Sequence, residues 1–131
     1  MSTLTPSSEN NHPIRVLIVD DDAQFGQLAS ELLTDRGYEV IGWVRTVSEA
    51  IAECDRLDPD AVLLDVKLPD GSGLALAERL CAASDRPNVL LTSTDRLAVG
   101  PDQLAESAAT GFVPKTQLAR TDLEPFLNLK R

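Results

Sequence analysis

Short runs of apolar residues alternate along the chain with longer segments in which apolar residues recur every three or four positions. The short runs are typical of β-strands, and the longer segments are typical of amphipathic helices. The run before Asp65 is apolar on both faces, which indicates a central strand of a parallel sheet that helices cover on each side. The predicted strands span residues 14–19, 38–44, 61–65, 89–91 and 111–113.

The first two predicted helices have clear starts. Asp22 is expected to cap the first helix, and Gly37 is expected to end it. Thr46 and Glu49 are the two ends of a Thr-Val-Ser-Glu capping box that opens the second helix. The buried stripe of the first helix is predicted to comprise Phe25, Leu28, Ala29, Leu32 and Leu33.

The later helices are less regular. Pro101 can open a short helix that reaches about residue 108. The last helix is predicted over residues 118–129, with a restart near Asp122, because Pro125 is tolerated only in a first turn. Five strands that alternate with five helices predict an α/β domain with a doubly wound parallel sheet.

Polar side chains follow the predicted strands at the point where each strand ends. Asp20 and Asp21 follow the first strand, Asp65 ends the third, Thr92 follows the fourth and Lys115 follows the fifth. Because the carboxyl ends of parallel strands share one edge of a sheet, these side chains are expected to meet in one crevice. Neighbouring carboxylates repel each other unless a cation intervenes, and a partly hydrated set of oxygen ligands suits Mg²⁺.

Such a crevice has the groups that phosphoryl transfer requires. Asp65 can act as a carboxylate nucleophile and form an aspartyl phosphate. The metal and the ammonium group of Lys115 would neutralise charge on the phosphoryl oxygens, and the hydroxyl of Thr92 could donate to one of them. No general base is needed, because carboxylic acids are ordinarily ionised at neutral pH.

At this point the chain resembles the receiver domain of two-component response regulators. The resemblance covers residues 14–131, and its motifs follow one another in the order of the family. They are Val19-Asp20-Asp21, Leu64-Asp65, Leu68-Pro69-Asp70-Gly71, Thr92-Ser93 and Gly111-Phe112-Val113-Pro114-Lys115. The resemblance implies a flavodoxin-like (βα)5 fold with strand order 2-1-3-4-5.

The resemblance also implies a role for each residue of the crevice. Asp65 would be the phosphoacceptor. Asp21 would bind Mg²⁺ directly, Asp20 would bind it through water, and the backbone carbonyl of Lys67 would be a further ligand. A histidine kinase or a histidine phosphotransfer protein would donate the phosphoryl group, and the receiver would accept it and later hydrolyse it without being a turnover enzyme.

Thr92 and Phe112 would form the switch that responds to phosphorylation, and Lys115 would pair with the phosphoryl group. An aromatic residue on the last strand is as readily explained by core packing, so both interpretations of Phe112 stay open. The segment 94–110 matches a regular fourth helix poorly, and Thr116 follows Lys115 where the family commonly has Pro. Trp43, on the strand expected at the sheet edge, is interpreted as a packing residue or a contact for a partner.

Composition narrows the classes of partner. The chain has 131 residues, 43% of them hydrophobic, which suits one domain with a single core. Its net charge of -9, from 12 basic and 21 acidic residues, argues against nucleic acid or an anionic membrane as a partner. A downstream protein, not identified by the sequence, is the expected target. No secretory signal or membrane span is recognised, so a cytoplasmic protein is expected.

Two features lie outside the crevice. Residues 1–13 are rich in Ser, Thr, Asn and Pro and are predicted to form a flexible tail ahead of a domain at 14–131. His12, the only histidine, lies in this tail and is expected to be solvated without a catalytic role. Cys54 and Cys81 are predicted to be small buried side chains rather than a disulfide.

The sequence leaves alternatives to a phosphorylation switch. A Mg²⁺ phosphatase of the haloacid dehalogenase type would need an acid two residues after Asp65, where the chain has Lys67. A receiver-like module that binds a protein without phosphorylation is the main alternative. The given sequence ends at residue 131 in what is predicted to be a helix, and a stand-alone member is expected; the alternative is a piece of a longer DNA-binding regulator.

Overall fold

A computed structural model of the chain describes residues 12–82 and 87–129. Its main sheet has five parallel strands in the spatial order β2-β1-β3-β4-β5, which confirms the predicted fold and strand order. The strand that carries Trp43, β2, lies at one edge of the sheet, as predicted. The strands are β1 (Arg15–Val19), β2 (Glu39–Val44), β3 (Ala61–Asp65), β4 (Asn88–Ser93) and β5 (Gly111–Pro114).

Helices connect the strands and cover both faces of the sheet. A two-stranded antiparallel hairpin, Lys67–Leu68 with Gly71–Ser72, follows β3, and a 3-10 helix (Lys115–Arg120) follows β5. The helices are α1 (Ala23–Asp35), α2 (Val47–Leu57), α3 (Gly73–Cys81), α4 (Pro101–Ser107) and α5 (Glu124–Leu127).

The core consists of two layers because alternate strand residues point to opposite faces of the sheet. Val16 and Ile18 of β1 face α1 and the carboxyl-terminal segment. Leu17 and Val19 of the same strand face α2, α3 and α4. All four side chains are fully buried, as expected for a central parallel strand.

The predicted helix starts are confirmed with one change. Asp22 caps α1, and its Oδ1 accepts hydrogen bonds from the amides of Gln24 and Phe25 at 3.0 and 3.3 Å. Thr46 caps α2 by accepting from the amide of Glu49 at 3.1 Å. The carboxylate of Glu49 accepts from the amide of Arg45 rather than from that of Thr46, so the capping box closes one residue earlier than predicted.

The last helix, predicted over residues 118–129 with a restart near Asp122, is shorter than predicted, and the prediction for its first part is wrong. Residues 115–120 form a 3-10 helix, and α5 is a single turn that begins at Glu124, close to the predicted restart. Leu118 and Leu123 are both buried but are five residues apart, a spacing that places them on different sides of a continuous α-helix. The chain therefore has to break between them, and it does so at Thr121, which is extended.

The prediction that Leu28 is buried is also wrong, since 65% of it is exposed. Leu28 lies at the edge of the α1 stripe, beside an apolar cleft between α1 and the 3-10 helix. The other four predicted positions of the stripe pack in the core. The arrangement leaves a large apolar side chain in contact with water on this face.

The cysteines and the tail are partly described. Cys81 is buried, Cys54 is half-buried and both are free thiols. Burial, together with the charges of nearby carboxylates, raises the pKa of Cys54 to about 11, so its thiol is unreactive at neutral pH. His12 is exposed, and the predicted tail at residues 1–11 lies outside the described residues.

Candidate functional site

The carboxyl edge of the sheet brings the predicted residues together. Asp20 follows β1, Asp65 ends β3, and Asp65 lies directly opposite Thr92 in the parallel ladder between β3 and β4. Lys115 follows β5 and reaches back across this edge. A crevice of about 350 Å³ opens here, and its lining includes Asp21, Asp65, Lys67 and Lys115.

Three carboxylates form the acidic part of the site. Asp20, Asp21 and Asp65 each offer an oxygen atom, and these atoms all lie within 4.8 Å of one another. Asp20 is 1% exposed and its Oδ1 accepts a hydrogen bond of 2.8 Å from the amide of Asp22. Asp21 is exposed, so one member of the cluster faces the solvent.

The ammonium group of Lys115 neutralises part of this charge. Its Nζ lies 2.8 Å from Oδ2 of Asp20 and 3.4 Å from Oδ2 of Asp65. It also lies 4.4 Å from the centroid of the Phe25 ring, which gives it a cation–π contact. Burial alone lowers the pKa of Lys115, but the hydrogen bond to Asp20 and the charges of both carboxylates outweigh it and raise the pKa above its ordinary value.

Burial shifts the pKa of Asp20 upward, whereas it shifts the pKa of Lys115 downward. Desolvation raises the pKa of Asp20 above its ordinary value, and the charge of Asp65 adds to that effect. The bonds from Lys115 and from the amide of Asp22 oppose the shift without cancelling it. The site therefore holds a carboxylate that gains from any additional positive charge beside it.

The position of Asp65 depends on the loop that follows it. Its Oδ1 accepts from the amide of Lys67 at 3.2 Å. Gly73 opens α3 directly behind it, and its amide donates to the carbonyl of Val66 at 2.7 Å. A Cβ atom at residue 73 would overlap the backbone carbonyl of Asp65, so only glycine fits there.

The hairpin turn of the same loop is fastened to α2. The carboxylate of Asp70 accepts from the amides of Val47 and Ser48 at 2.7 and 3.1 Å. These bonds lower the pKa of Asp70 and place a negative charge at the amino end of a helix, where the helix dipole favours it.

Thr92 has an unusual environment for a hydroxyl group. Its side chain is 0% exposed, and its Oγ1 makes no hydrogen bond within the part of the chain that the structure describes. Its neighbour Ser93 is buried too, but the Oγ of Ser93 accepts from the amide of Asp95 at 3.0 Å. The hydroxyl of Thr92 is therefore available to a group that enters beside Asp65.

Phe112 is half-buried and packs against the core layer of α2, α3 and α4. It also lines an open cavity of about 640 Å³ with Leu97 and Pro114. Leu97 is 88% exposed on the loop after β4. Both interpretations of Phe112 fit this position, because the ring touches the core on one side and the cavity on the other.

Sequence reasoning missed two neighbours of the acids. Phe25 was assigned to the core, but its ring also lies beneath Lys115. Trp43 is predicted to be a packing residue or a contact for a partner, and its indole Nε1 also donates to the backbone carbonyl of Asp20 at 2.8 Å. The only signal for either was an aromatic residue near the end of a strand or the start of a helix, which is common in cores.

The residues fit a magnesium ion by their chemistry. Carboxylate oxygens are the ligands that Mg²⁺ prefers, and this ion keeps several waters when it binds to proteins. Asp21 is exposed, so an ion bound beside it could keep water ligands. Added positive charge would favour the ionised form of the buried Asp20. The backbone carbonyl of Lys67 stays a predicted ligand.

The family of the chain follows from the sequence match. Residues 16–125 match the family described as the response regulator receiver domain. The chain therefore belongs to the receiver domains of two-component signalling systems. The described part of the chain contains no helix both long and apolar enough to cross a membrane.

Two curated proteins illustrate its relatives. Protein-glutamate methylesterase/protein-glutamine glutaminase 2 of Xanthomonas oryzae pv. oryzae is 39% identical over 112 residues, which cover 82% of this chain and 31% of that protein. The transcriptional regulatory protein PdtaR of Mycobacterium tuberculosis is 32% identical over 129 residues, which cover 98% of this chain and 62% of that protein. The chain thus spans less than two thirds of the length of either relative.

Solved structures share the fold. A CheY-like response regulator receiver domain from Methylobacillus flagellatus has a TM-score of 0.75 at 26% identity, covering 87% of this chain and 95% of that one. The response regulator domain of Thermotoga maritima CheB has a TM-score of 0.77 at 21% identity, covering 92% and 100% of the two chains.

Proposed function

We propose that the chain is a phosphorylation-dependent switch. Asp65 accepts a phosphoryl group in a Mg²⁺-dependent reaction, from a histidine kinase or a histidine phosphotransfer protein, and the phosphorylated form binds a downstream protein. The observation that supports this most strongly is the meeting of Asp20, Asp21 and Asp65 within 4.8 Å beside the ammonium group of Lys115. Such a cluster costs stability when it is not bound to a cation, so it favours a function that uses it.

The chemistry of transfer falls to Asp65. One of its carboxylate oxygens forms the new bond to phosphorus while the bond between phosphorus and the imidazole nitrogen of the donor breaks. The electron pair of the broken bond stays on that nitrogen. Asp20, Asp21 and Asp65, with the carbonyl of Lys67, would hold Mg²⁺, which supplies positive charge to the phosphoryl oxygens.

Lys115 and Thr92 act on the phosphorylated side chain. The ammonium group of Lys115 already lies 3.4 Å from Asp65, so it can offset the charge of an added phosphoryl group with a small movement. The hydroxyl of Thr92 gains its hydrogen bond only when an acceptor arrives beside Asp65. This gain favours the phosphorylated arrangement and connects Asp65 to the region of Phe112.

Labelling with acetyl phosphate tests the proposal. Purified protein is treated with acetyl phosphate and Mg²⁺, and its intact mass is measured by mass spectrometry with and without chelator. The wild type is expected to gain one phosphoryl group and the Asp65→Asn variant none. A phosphoryl adduct that persists in Asp65→Asn would remove Asp65 from its role.

Asp22→Asn is the matched control. Asp22 lies next to the cluster but outside the set of three close carboxylates, and it caps α1. Asparagine caps helices about as well as aspartate, so this variant keeps its stability and should still be phosphorylated. Loss of labelling in Asp22→Asn would show that the assay responds to any lost negative charge.

A phosphorylation-independent binding module is the second candidate. The single-turn α5 and the 3-10 helix before it favour this candidate, because the last helix of the family usually belongs to the face that reports phosphorylation. A pull-down with and without beryllofluoride separates the two functions. Equal affinity for a partner in both conditions would favour the second candidate.

A further inference from the structure

Trp43 is the single tryptophan of the chain and lies near the end of β2, the edge strand beside β1. Its indole Nε1 donates to the backbone carbonyl of Asp20 at 2.8 Å. The amide of Asp20 donates to the carbonyl of Val44 at 2.9 Å. Two neighbouring residues of β2 therefore hold Asp20 from both sides of its backbone.

The carbonyl that Trp43 binds belongs to the peptide bond between Asp20 and Asp21. The torsions on either side of this peptide, ψ of Asp20 and φ of Asp21, set the directions of the two side chains relative to each other, and a change in either would move the carbonyl away from the indole. The bond therefore sets how the buried acid and the exposed acid are presented to each other. Mg²⁺ demands near-octahedral oxygen positions, so the direction of each carboxylate affects how tightly it binds.

The ring of Trp43 is itself held in place. Gly26 of α1 faces it so closely that a Cβ atom at residue 26 would overlap the indole. The guanidinium group of Arg45 lies over the ring, 4.7 Å from its centroid. The ring thus has a slot in α1 that only a glycine leaves open, and the slot fixes the direction of the indole N–H.

We propose that Trp43 is a positioning residue of the acidic site, and that its indole N–H orients the peptide bond between Asp20 and Asp21 for cation binding. The inference rests on the proposed function in one respect, which is that the site binds Mg²⁺. A role in packing accounts for the burial of the ring but gives the N–H no effect on the acids. A packing role therefore predicts a loss of stability without a change in Mg²⁺ affinity when the indole is replaced, whereas a positioning role predicts weaker Mg²⁺ binding.

The Trp43→Phe variant makes this separation. Phenylalanine keeps an aromatic ring at residue 43, but it removes the donor and the part of the indole that faces Gly26. Mg²⁺ affinity, measured by calorimetric titration of folded protein, is expected to fall about tenfold, as for other residues that orient metal ligands. Val40→Ala is the matched control, because Val40 packs against the same core from the same strand but pairs with Val16 instead of approaching the acids.

A measurement without metal tests the same inference. In metal-free protein, the amide resonance of Asp21 reports the peptide bond that the indole holds. It is expected to shift in Trp43→Phe and to stay in place in Val40→Ala. Gly26→Ala gives a second variant, since its added methyl group displaces the ring from the slot and should weaken Mg²⁺ binding while the indole is kept.

The outcomes distinguish the two proposals. If the wild type binds Mg²⁺ and Trp43→Phe binds it equally well with an unmoved Asp21 resonance, the role of Trp43 is overturned and the proposed function stands. If the wild type binds no Mg²⁺, the proposed function fails first, and the metal-free resonance still decides whether the indole orients the peptide. If Trp43→Phe does not fold, Gly26→Ala decides by the same two measurements.

Discussion

Two threonines of this protein carry hydroxyl groups with opposite consequences for stability. The Oγ1 of Thr92 is buried without a hydrogen bond among the described residues. The Oγ1 of Thr110 lies 2.9 Å from the carbonyl of Val89 and 2.8 Å from that of Phe126. A buried hydroxyl without a partner costs free energy, whereas one that is paired stabilises the fold. Thr92 is thus retained at the expense of stability, which is common for residues that serve a function.

The same substitution at both residues is therefore expected to act in opposite directions. Thr92→Val removes an unpaired hydroxyl and should raise the free energy of unfolding by about 1 kcal/mol. Thr110→Val removes a paired hydroxyl and should lower it by about 1 kcal/mol. Urea unfolding measures both, and a loss of stability in Thr92→Val would mean that its hydroxyl is already bonded.

At the scale of elements, the strands and most helices could be predicted because their signals are local. The apolar run before Asp65 is buried on both faces, and Asp22 bonds the first amides of its own helix. The carboxyl-terminal segment could not be predicted in this way. Its conformation depends on Arg36, whose guanidinium donates to the carbonyls of Ala119 and Thr121 at 2.6 Å each, and no local pattern records a partner 83 or 85 residues away.

The candidate site also has a part that local signals predict and a part that they do not. Strand ends were enough to predict that Asp20, Asp65 and Lys115 meet, because the sheet itself brings them to one edge. The contacts of Phe25 and Trp43 with this set depend on side-chain directions that periodicity does not specify. In each case the packing interpretation was correct but incomplete, since the same aromatic ring serves the core and touches the site.

Asn88 carries a prediction about the carboxyl-terminal segment. Its Nδ2 donates to the carbonyls of Leu127 at 3.1 Å and Leu129 at 2.8 Å. Asn88→Ala leaves both carbonyls without this donor and should lower the free energy of unfolding by about 2 kcal/mol. Hydrogen exchange is expected to accelerate at residues 123–129 before it does so in the strands.

Tyr38→Phe is the comparison for this prediction. It removes one part-buried bond, from the tyrosine hydroxyl to Oδ1 of Asn128, whereas Asn88→Ala removes two. Its effect should be smaller than that of Asn88→Ala. Equal stability of Asn88→Ala and wild type would show that the final turn does not depend on this side chain.

At the scale of the molecule, charge repulsion should make stability depend on ions in two ways. The net charge of -9 opposes the compact state, and any salt screens it. Mg²⁺ should add stability beyond that screening, because a ligand that binds only the folded state shifts the equilibrium towards it.

Thermal unfolding in NaCl and in MgCl₂ at equal ionic strength separates the two effects. The wild type is expected to have a higher Tm in MgCl₂, and Asp21→Asn should lose this excess while it keeps the response to NaCl. Asp21→Asn removes one carboxylate of the cluster, so specific binding should be lost. Because Asp21 is exposed, its replacement disturbs the core little, and the response to NaCl should remain. Identical Tm values for the wild type in the two salts would contradict specific binding.

The close approach of Gly73 to the carbonyl of Asp65 limits which residues evolution can accept at position 73. In saturation mutagenesis with a phosphorylation readout, residue 73 should tolerate as little change as a residue that carries chemistry, although glycine has no functional group. Even the Cβ atom of alanine would overlap the backbone carbonyl of Asp65 and displace this residue. A residue of this loop can therefore be intolerant to substitution because it leaves room for Asp65, and not only because its own side chain reacts.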